Sequence, residues 1–373
     1  MEKFTENKKK ILIALAAIFI VFFVVINRGR ISHNREIEKE KVISIENVQD
    51  FHLTSKSILL WDNQTLYFCD KSGELLKKIN KKEEDLEIFF TNNYAFIYDR
   101  DLRKLYEYSE LGEHLNTIKV PADVYNIKYQ NKNIIIHGKE KGTEYLYTLK
   151  VDGSLEEAYK SDNYILDFDI LEPKKNYAIS EITTSATGYK SIFTYVLNGN
   201  KSSKDYMSEV GLYVNVKPSS AILITDKNLY RSTKEETIHK EIPNISDAIV
   251  DKNNLYLIHS GIISRYNKNL DEKEKYILAA SGEKITKVSN SIYVYGKNDI
   301  GGEIGSKNEF YTRIGSSIEK VEINGLTIGA LKEGRVTIYK VINSRGTNKN
   351  TLRDLSKEQD KWWKNFYLES QNI

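Results

Sequence analysis

Residues 56–79, KSILLWDNQTLYFCDKSGELLKKI, contain three short apolar runs separated by two polar turns. The runs at 58–61 (ILLW) and 66–69 (LYFC) are rich in residue types that suit a pleated, half-buried surface. The groups Asp-Asn-Gln at 62–64 and Asp-Lys-Ser-Gly at 70–73 tolerate the backbone angles of tight turns. Because three short strands joined by tight turns form a meander, this stretch predicts most of one blade of a β-propeller.

Weaker copies of this stretch return along the chain to about residue 340. The strand LYFCD at 66 is matched at intervals of 34 to 47 residues by LYEYS at 105, LYTLK at 146, FTYVL at 193, LYRST at 229, ISRYN at 263 and FYTRI at 310. Repeats of about 40–45 residues with several strands are typical of propeller blades, whereas helical repeats need apolar residues every 3.6 positions. The sequence therefore predicts an all-β fold, a β-propeller of seven blades, with eight as the alternative count.

The two ends of the repeat region each supply part of a blade. Residues 326–342 (LTIGALKEGRVTIYKVI) give two further strands, and residues 41–45 (KVISI) give a single strand before the first repeat. A ring must hide its first and last edges, because exposed strand edges pair with other chains. We therefore predict that the N-terminal and C-terminal strands complete one blade together, within a propeller domain of residues 42–342.

The apolar run at residues 11–26 (ILIALAAIFIVFFVVI) predicts a membrane segment. Sixteen helical residues span roughly 24 Å, short of a hydrocarbon core of about 30 Å. Lysines at 8–10 and arginines at 28 and 30 can extend to the interfaces and close the gap. A cleaved signal peptide is the alternative, but the small-residue cleavage site is missing. The prediction is an uncleaved single-pass transmembrane anchor at residues 11–27.

The orientation of this anchor is predicted from its short N-terminal tail. Basic residues are nearly balanced across the apolar run, so the charge rule does not decide the orientation. A signal-anchor normally leaves a tail such as residues 1–10 in the cytoplasm. The prediction is therefore a cell-membrane protein with a cytoplasmic N-terminus, a charged stalk at 28–41 and the propeller on the extracytoplasmic side.

The C-terminal region, residues 343–373, differs in kind from the repeats. A polar linker (NSRGTNKN, 343–350) leads into TLRDLSKEQDKWWKNFYL at 351–368, whose apolar residues fall on one face at helical spacing. This pattern predicts a short amphipathic helix. It either lies on the propeller or binds a partner or a membrane surface. In the second case the contact residues would be Trp362, Trp363, Phe366 and Tyr367.

Sequence signatures of catalysis are mostly missing. There is no Gly-x-Ser-x-Gly, His-Glu-x-x-His, Cys-x-x-Cys or phosphate-binding Gly-x4-Gly-Lys motif. The stretch GGEIGSK at 301–307 has the wrong spacing for phosphate and predicts a long loop between two strands of the last repeat. Two Ser-x-x-Lys patterns, at 281–284 and 317–320, lie among strands and are attributed to chance. No catalytic, cofactor-binding or metal-binding residue is therefore predicted.

A few polar residues leave alternatives open. His137 and His259 follow apolar strands at matching positions of their repeats, so they either face the central channel or are ordinary strand-end histidines. Asp167 and Asp169 put two carboxylates on one strand face, which could bind a cation or form a solvated edge. Cys69, the single cysteine, has the neighbours of a buried core thiol.

The charge distribution excludes a nucleic-acid surface. The chain has 55 Lys and Arg against 52 Asp and Glu, a formal net charge of +3. Basic residues alternate with acidic ones and form no cluster, so nucleic-acid binding is not predicted.

Two resemblances follow from these features. WDNQTLYFCDKSGELLKKI at 61–79 resembles the repeat of quinoprotein-type and WD40-like propellers, but Lys77 stands where that repeat has its Trp docking residue. This departure implies the scaffold without a quinone cofactor. More closely, the basic tail and anchor, DKSGELLKKI at 70–79 and NNYAFIYDRDLRKLYEY at 92–108 resemble membrane-anchored bacterial propellers, mostly from Firmicutes, that form a domain family of unknown function. That resemblance covers most of residues 1–342 and implies no catalytic residues.

The features together favour a membrane-anchored extracytoplasmic scaffold that binds an envelope protein or a cell-wall component. Fold alone does not define the partner of a propeller. The alternative is a small-ligand sensor or enzyme that uses the central channel, which requires convergent charged side chains with perturbed pKa values on the innermost strands. A purely structural spacer is a third possibility. No cofactor is predicted, and the question of enzymatic activity stays open, with a non-enzymatic function favoured.

Overall fold

The computed structural model describes residues 35–186, 188–279, 282–315 and 317–343. Within these ranges every regular element is a β-strand, and no helix is present. The 32 strands form eight four-stranded antiparallel sheets, which are the blades of a β-propeller. The predicted all-β propeller is therefore confirmed, the predicted count of seven blades is wrong, and the alternative of eight is confirmed.

The first four blades use consecutive strands. Blade 1 consists of β2 (Asp50–Leu53), β3 (Ile58–Trp61), β4 (Thr65–Cys69) and β5 (Leu75–Asn80). Blade 2 consists of β6 (Leu86–Thr91), β7 (Tyr94–Asp99), β8 (Lys104–Ser109) and β9 (His114–Lys119). Blade 3 consists of β10 (Asp123–Gln130), β11 (Asn133–Glu140), β12 (Thr143–Leu149) and β13 (Leu155–Ser161). Blade 4 consists of β14 (Tyr164–Glu172), β15 (Asn176–Ser185), β16 (Gly188–Leu197) and β17 (Asn200–Met207).

The remaining blades complete the ring. Blade 5 consists of β18 (Gly211–Lys217), β19 (Ser220–Thr225), β20 (Asn228–Ser232) and β21 (Thr237–Glu241). Blade 6 consists of β22 (Ile245–Asp251), β23 (Asn254–His259), β24 (Ile262–Tyr266) and β25 (Glu272–Ile277). Blade 7 consists of β26 (Lys284–Val288), β27 (Ser291–Tyr295), β28 (Asp299–Gly302) and β29 (Phe310–Arg313). Blade 8 consists of β30 (Lys320–Asn324), β31 (Thr327–Lys332), β32 (Arg335–Asn343) and, from the other end of the chain, β1 (Arg35–Val42).

Blade 8 closes the ring by joining the two ends of the described chain. β1 pairs antiparallel with β32, with Arg35 opposite Asn343 and Val42 opposite Thr337. The predicted composite blade is thus confirmed. Its N-terminal strand covers residues 35–42 and not the predicted 41–45, so it lies mostly inside the segment that the sequence predicted as a charged stalk (28–41). The sequence REIEKEKV of this strand shows little apolar alternation. An outermost strand is solvated on most of its surface, so it needs few apolar residues.

The miscount of blades arises from blade 8, which contains none of the seven repeat markers because its strands come from both ends of the chain. In blade 7 the marker falls on a different strand from the others. Six of the seven repeat markers fall on third strands (β4, β8, β12, β16, β20 and β24), but FYTRI at 310 falls on a fourth strand, β29. The true third strand, β28, has the sequence DIGG, which lacks the apolar pattern. A Cβ at Gly302 would collide with the rings of Phe310 and Tyr293, so the packing of this blade requires glycine there. The predicted loop at 301–307 therefore starts with two strand residues.

The hydrophobic core lies between blades. Leu59, Trp61 and Phe68 of blade 1 pack with Ala95 and Ile97 of blade 2, and every member of this group is buried. Burying a large apolar side chain contributes roughly 1.5–3 kcal/mol, so each inter-blade cluster stabilises its junction substantially. Each blade consequently depends on its two neighbours.

Cys69 belongs to the cluster that joins blades 8 and 1. It packs in the group that contains Phe51 and Leu331, and its side chain is fully buried. Burial raises the pKa of the Cys69 thiol to about 11, with a further contribution from the charge of Asp70. The predicted buried core thiol is confirmed.

Strand direction defines two faces of the ring. Strands alternate in direction within each blade, so first and third strands end on the same face. β32 is a third strand that ends at Asn343, and β1 starts opposite it at Arg35. The described chain therefore enters and leaves the ring on one face. We call it the entry face; it also carries the turns that follow the first and third strands.

Candidate functional site: the ring of first strands

The first strand of each blade lies towards the centre of the ring. Neighbouring first strands contact each other, as β14 and β18, β22 and β26, and β30 and β2 do. Several first strands carry charged side chains, which reach across to the next blade and form hydrogen bonds there. These inner-strand groups are the candidates for a site in the central channel.

His52 on β2 lies at the junction of blades 8, 1 and 2. Its Nδ1 is 2.9 Å from Oε2 of Glu322 on β30, and its Nε2 is 2.6 Å from the carbonyl oxygen of Asn92, which follows β6. A carboxylate and a carbonyl can only accept hydrogen bonds, so both ring nitrogens must carry a proton. The ring of Phe90 stacks on the imidazole at a centroid distance of 5.7 Å. This geometry requires the imidazolium form of His52.

The electrostatics agree with this geometry. Burial lowers the pKa of His52, but the hydrogen bond and charge of Glu322 outweigh it, so the pKa is raised above its usual 6.5. Burial raises the pKa of Glu322, but His52 and Lys320 outweigh that effect, so the pKa of this carboxyl is lowered. Both members of the pair are therefore charged near pH 6.

Glu322 and Lys320 extend the cluster across the closure between blades 8 and 1. The backbone N–H of Leu53 donates to Oε2 of Glu322 at 2.7 Å. Nζ of Lys320 lies 2.9 Å from Oε1 of Glu322, 2.7 Å from Oδ1 of Asp50 and 2.8 Å from the carbonyl oxygen of Phe51. Burial lowers the pKa of Lys320, but the charges of Glu322 and Asp50 outweigh it and raise it overall. These contacts hold the last blade of the sequence against the first.

Asp167 and Asp169 on β14 perform the same role between blades 4 and 5. The backbone N–H groups of Val214 and Val216 on β18 donate to their carboxylates, each at 2.8 Å. Asp167 also pairs with Nζ of Lys128 on β10. Both aspartates are buried, and burial raises the pKa of Asp169. They are therefore neither a solvated edge nor a free pair of cation ligands, because their oxygens already accept hydrogen bonds from neighbouring blades.

A third junction repeats the device. Oδ2 of Asp247 on β22 accepts from the backbone N–H of Ile285 on β26 at 3.0 Å, joining blades 6 and 7. Junctions 4/5, 6/7 and 8/1 thus each place an acidic side chain against the backbone of the next first strand. A hydrogen bond accepted by a charged group is stronger than one between two neutral groups. The device aligns adjacent blades at the centre of the ring.

The two histidines that the sequence singled out lie away from the centre. His137 and His259 are on second strands, β11 and β23, and both are buried. Nε2 of His137 is 3.0 Å from Oε2 of Glu144, and Nε2 of His259 is 2.8 Å from Oγ of Ser264. Burial lowers the pKa of His259. They are ordinary strand histidines rather than channel residues.

Sequence reasoning missed His52, the histidine that does lie on a first strand. The signal was present in the alternation of β2, DFHL, where Phe51 and Leu53 are buried and His52 points to the opposite face. Its position became informative only once blade 8 was known to close against blade 1.

Two cavities border this cluster. One of about 440 Å³ lies between blades 7 and 8 and is lined by Lys284, Tyr295 and Lys320. Another of about 320 Å³ is lined by His52 and Asn92, and both cavities share Tyr295 and Glu322. Burial raises the pKa of Tyr295, with a contribution from Asp247. Across the described ranges, no group of three or more His, Cys, Asp or Glu residues could hold a metal ion.

Other predicted features lie outside the described residues. These are the anchor at 11–27 and the C-terminal contact residues Trp362, Trp363, Phe366 and Tyr367. In the described ranges no helix is long and apolar enough to span a bilayer.

Solved structures with the same architecture resemble this chain. BamB from Moraxella catarrhalis is 10% identical with a TM-score of 0.54, over 84% of this chain and 100% of BamB. Sqt1 from Saccharomyces cerevisiae is 9% identical with a TM-score of 0.57, over 83% of this chain and 100% of Sqt1. The WD40 domain of SCAP from fission yeast is 10% identical with a TM-score of 0.50, over 83% of this chain and 98% of that domain.

No protein-family model matches the chain, and no curated protein matches it in sequence. At identities near 10% the structural similarity shows the fold alone. The predicted resemblance to WD40-like propellers is confirmed at that level: the chain is similar to BamB and to WD40 domains in being a closed β-propeller.

Proposed function

We propose that the chain is a membrane-anchored extracytoplasmic scaffold whose propeller binds an envelope protein or a cell-wall component. The observation that carries this proposal is that the charged groups on the inner strands hold neighbouring blades together. Glu322, Asp167 and Asp247 accept backbone hydrogen bonds from the next blade, so they lock the ring together. The turns on the two faces are then the surfaces available to a partner.

The point of chain entry supports an anchored arrangement. β1 begins at Arg35 on the entry face, and the proposed anchor ends at residue 27. The seven intervening residues reach at most about 25 Å when fully extended. An anchored propeller would therefore be held close to the bilayer with its entry face towards the membrane. The opposite face would point away from the membrane and be open to envelope partners.

The proposal gives the C-terminal segment a specific role. β32 ends at Asn343 on the entry face, so the proposed amphipathic helix would start beside the membrane-facing side of blade 8. Trp362, Trp363, Phe366 and Tyr367 would then contact a partner or the bilayer interface. Resemblance to the membrane-anchored propeller family supports the same arrangement.

A crosslinking pull-down from intact cells tests the proposal. The full-length chain is compared with a chain lacking residues 351–373 and with a Trp362→Ala/Trp363→Ala variant. A Lys361→Ala/Lys364→Ala variant is the control, because it changes the same segment without removing its aromatic groups. A specific envelope partner that is lost from the truncated chain and from the aromatic variant, but retained by the lysine variant, supports the scaffold. Recovery of no specific envelope protein by any of the four chains contradicts it, whereas equal recovery of one partner by all four would contradict only the role of the C-terminal segment.

The inner cavities favour a second candidate, a small-ligand sensor that uses the central channel. They adjoin charged groups with shifted pKa values, which is the condition expected of such a site. A ligand that raises the unfolding temperature of the wild-type chain, and does so less for Tyr295→Phe, supports this function. A thermal shift that is unchanged in Tyr295→Phe excludes a ligand hydrogen-bonded to that hydroxyl.

A further inference from the structure

A separate cavity of about 180 Å³ lies between blades 5 and 6. Its lining includes the end of β18, the turn after β22 and the turn after β24. These elements follow or end first and third strands, so the cavity opens on the entry face. Cavities that hold drug-sized molecules are usually about 300–1,000 Å³. This one suits a compact group rather than a whole cofactor.

Three basic side chains line this cavity: Lys217, Arg231 and Lys268. Considering the described residues alone, none of the three forms an ion pair or a hydrogen bond. Two of them, Lys217 and Arg231, are partly buried. An unpaired, partly desolvated cation is costly, so the absence of partners here needs an explanation.

The electrostatics of Lys217 are those of an uncompensated positive site. Burial lowers the pKa of its ammonium group, and the charge of Arg231 lowers it further. The carboxylate of Asp251 opposes these effects but does not cancel them. Asp251 is itself paired with Nζ of Lys287 at 2.5 Å, so its charge is shared with blade 7. An anion in the cavity would supply the missing compensation.

Arg231 lacks the carboxylate partner that the equivalent arginine of blade 6 has. Arg265 occupies the equivalent position on β24, where it faces Glu274 across the strand pair and bonds to it at 3.0 and 2.5 Å. Arg231 on β20 instead faces Ile238. The repeat therefore retains the arginine in blade 5 but has no carboxylate opposite it.

Neighbouring amides add hydrogen-bond donors. Nη1 of Arg265 donates to Oδ1 of Asn254 at 3.0 Å, so Nδ2 of Asn254 remains available as a donor. Asn254 lines the cavity together with Asn253 and Ser219. Arginine and lysine combined with amide and hydroxyl donors match the oxygens of a phosphate group.

We propose that the cavity between blades 5 and 6 binds a phosphate group through Arg231, Lys217 and Lys268. The phosphate belongs either to a soluble ion or to an anionic lipid headgroup. The lipid source rests on the proposed membrane anchor, which would turn the entry face and this cavity towards the bilayer. The phosphate site itself does not depend on the anchor.

Calorimetric titration of the full chain in an uncharged detergent tests the proposal. The probes are inorganic phosphate and soluble dihexanoyl phosphatidylglycerol, with sodium chloride of equal ionic strength as the blank. We expect Arg231→Gln and Lys217→Gln each to weaken binding at least tenfold. Arg100→Gln is the charge-matched control, because Arg100 pairs with Asp85 and Glu87 on the exposed surface of blade 2. Its binding should equal that of the wild-type chain.

Ile238→Glu provides a second variant that keeps every proposed contact residue. It supplies Arg231 with the partner that Glu274 gives Arg265, so it should abolish binding while the chain stays folded by circular dichroism. Binding of inorganic phosphate alone supports the site with a soluble ligand, and binding of the lipid headgroup alone supports the lipid source. Binding of neither probe, or equal weakening by Arg100→Gln, overturns the proposal. A site that persists in a chain found to lack membrane association would contradict the proposed anchor only.

Discussion

His52 is held in its charged form by two acceptors, and this single residue couples ring closure to pH. Its Nδ1 donates to Glu322 of blade 8 and its Nε2 donates to the carbonyl of Asn92 in blade 2. The neutral imidazole has one N–H and would lose one of these bonds. Protonation of His52 therefore strengthens the junction of blades 8, 1 and 2.

The pH dependence of stability follows from the raised pKa of His52. A group whose pKa is higher in the folded state stabilises the fold fully below its unfolded value near 6.5. That contribution is lost as the pH rises through the raised folded value. We expect the urea midpoint of the wild-type chain to fall over this range more steeply than that of His52→Gln. Parallel curves for the two chains would show that the pKa of His52 is the same in the folded and unfolded states.

Asp169 allows the contribution of the hydrogen bonds between blades 4 and 5 to stability to be measured. Its Oδ2 accepts from the backbone N–H of Val216 and from Nδ2 of Asn215, both in blade 5. Asp169→Ala leaves these donors buried without a partner, which costs about 1–3 kcal/mol of unfolding free energy. Asp205→Ala is the control, because Asp205 forms an exposed ion pair with Lys190 that is worth at most about 1 kcal/mol. Urea unfolding should show a larger loss of unfolding free energy for Asp169→Ala than for Asp205→Ala. Equal losses would mean that the hydrogen bonds of Asp169 do not stabilise the junction of blades 4 and 5.

At the scale of elements, local pattern predicted the strands and failed where a strand has little apolar content. Third strands were found because sequences such as LYFC and LYEY bury both faces within a blade. β28 was missed because its glycines accommodate aromatic rings from neighbouring strands. β1 was predicted as stalk because an outer strand needs few apolar residues. Both misses arise from tertiary context that short-range periodicity does not contain.

The candidate site was less predictable than the fold. Asp167 and Asp169 attracted attention as a pair, but their acceptor role depends on the backbone of β18, which lies about 47 residues further along the chain. Lys77, which replaces a docking Trp, donates from Nζ to the carbonyl of Gly112 in blade 2 at 2.6 Å. Such contacts between blades become visible only when the order and register of the blades are known.

β1 gives a direct test of how the ring closes. Replacing residues 35–42 by a Gly-Ser sequence of equal length removes the side chains that fix the register with β32 and leaves that edge poorly covered. We expect a loss of at least about 2 kcal/mol in unfolding free energy, and association at higher protein concentration through the exposed edge. The same replacement at residues 27–34 is the matched control and should leave both properties unchanged. Unaltered stability after the first replacement would mean that β1 does not close the ring.

At the scale of the whole molecule, closure by β1 determines which face the proposed anchor would turn towards a membrane. The chain enters at Arg35 and leaves at Asn343 on the entry face, so both proposed membrane-proximal segments would extend from the same side. The cavity between blades 5 and 6, with its unpaired cations, opens on that side too. The opposite face carries the connections between successive blades. A single orientation would therefore bring the proposed anchor and the proposed phosphate site to the bilayer together.

Two exposed lysines of blade 1 allow this orientation to be measured. Lys71 lies in the turn between β4 and β5 on the entry face, and Lys82 lies in the connection from β5 to β6 on the opposite face. Lys71→Cys and Lys82→Cys can each be labelled with a fluorophore, because the native Cys69 is fully buried and its pKa is raised to about 11. In vesicles containing brominated lipid, the label at residue 71 should be quenched more strongly than the label at residue 82. Stronger quenching at residue 82 would place the opposite face at the membrane. If neither label is quenched, neither face lies at the membrane.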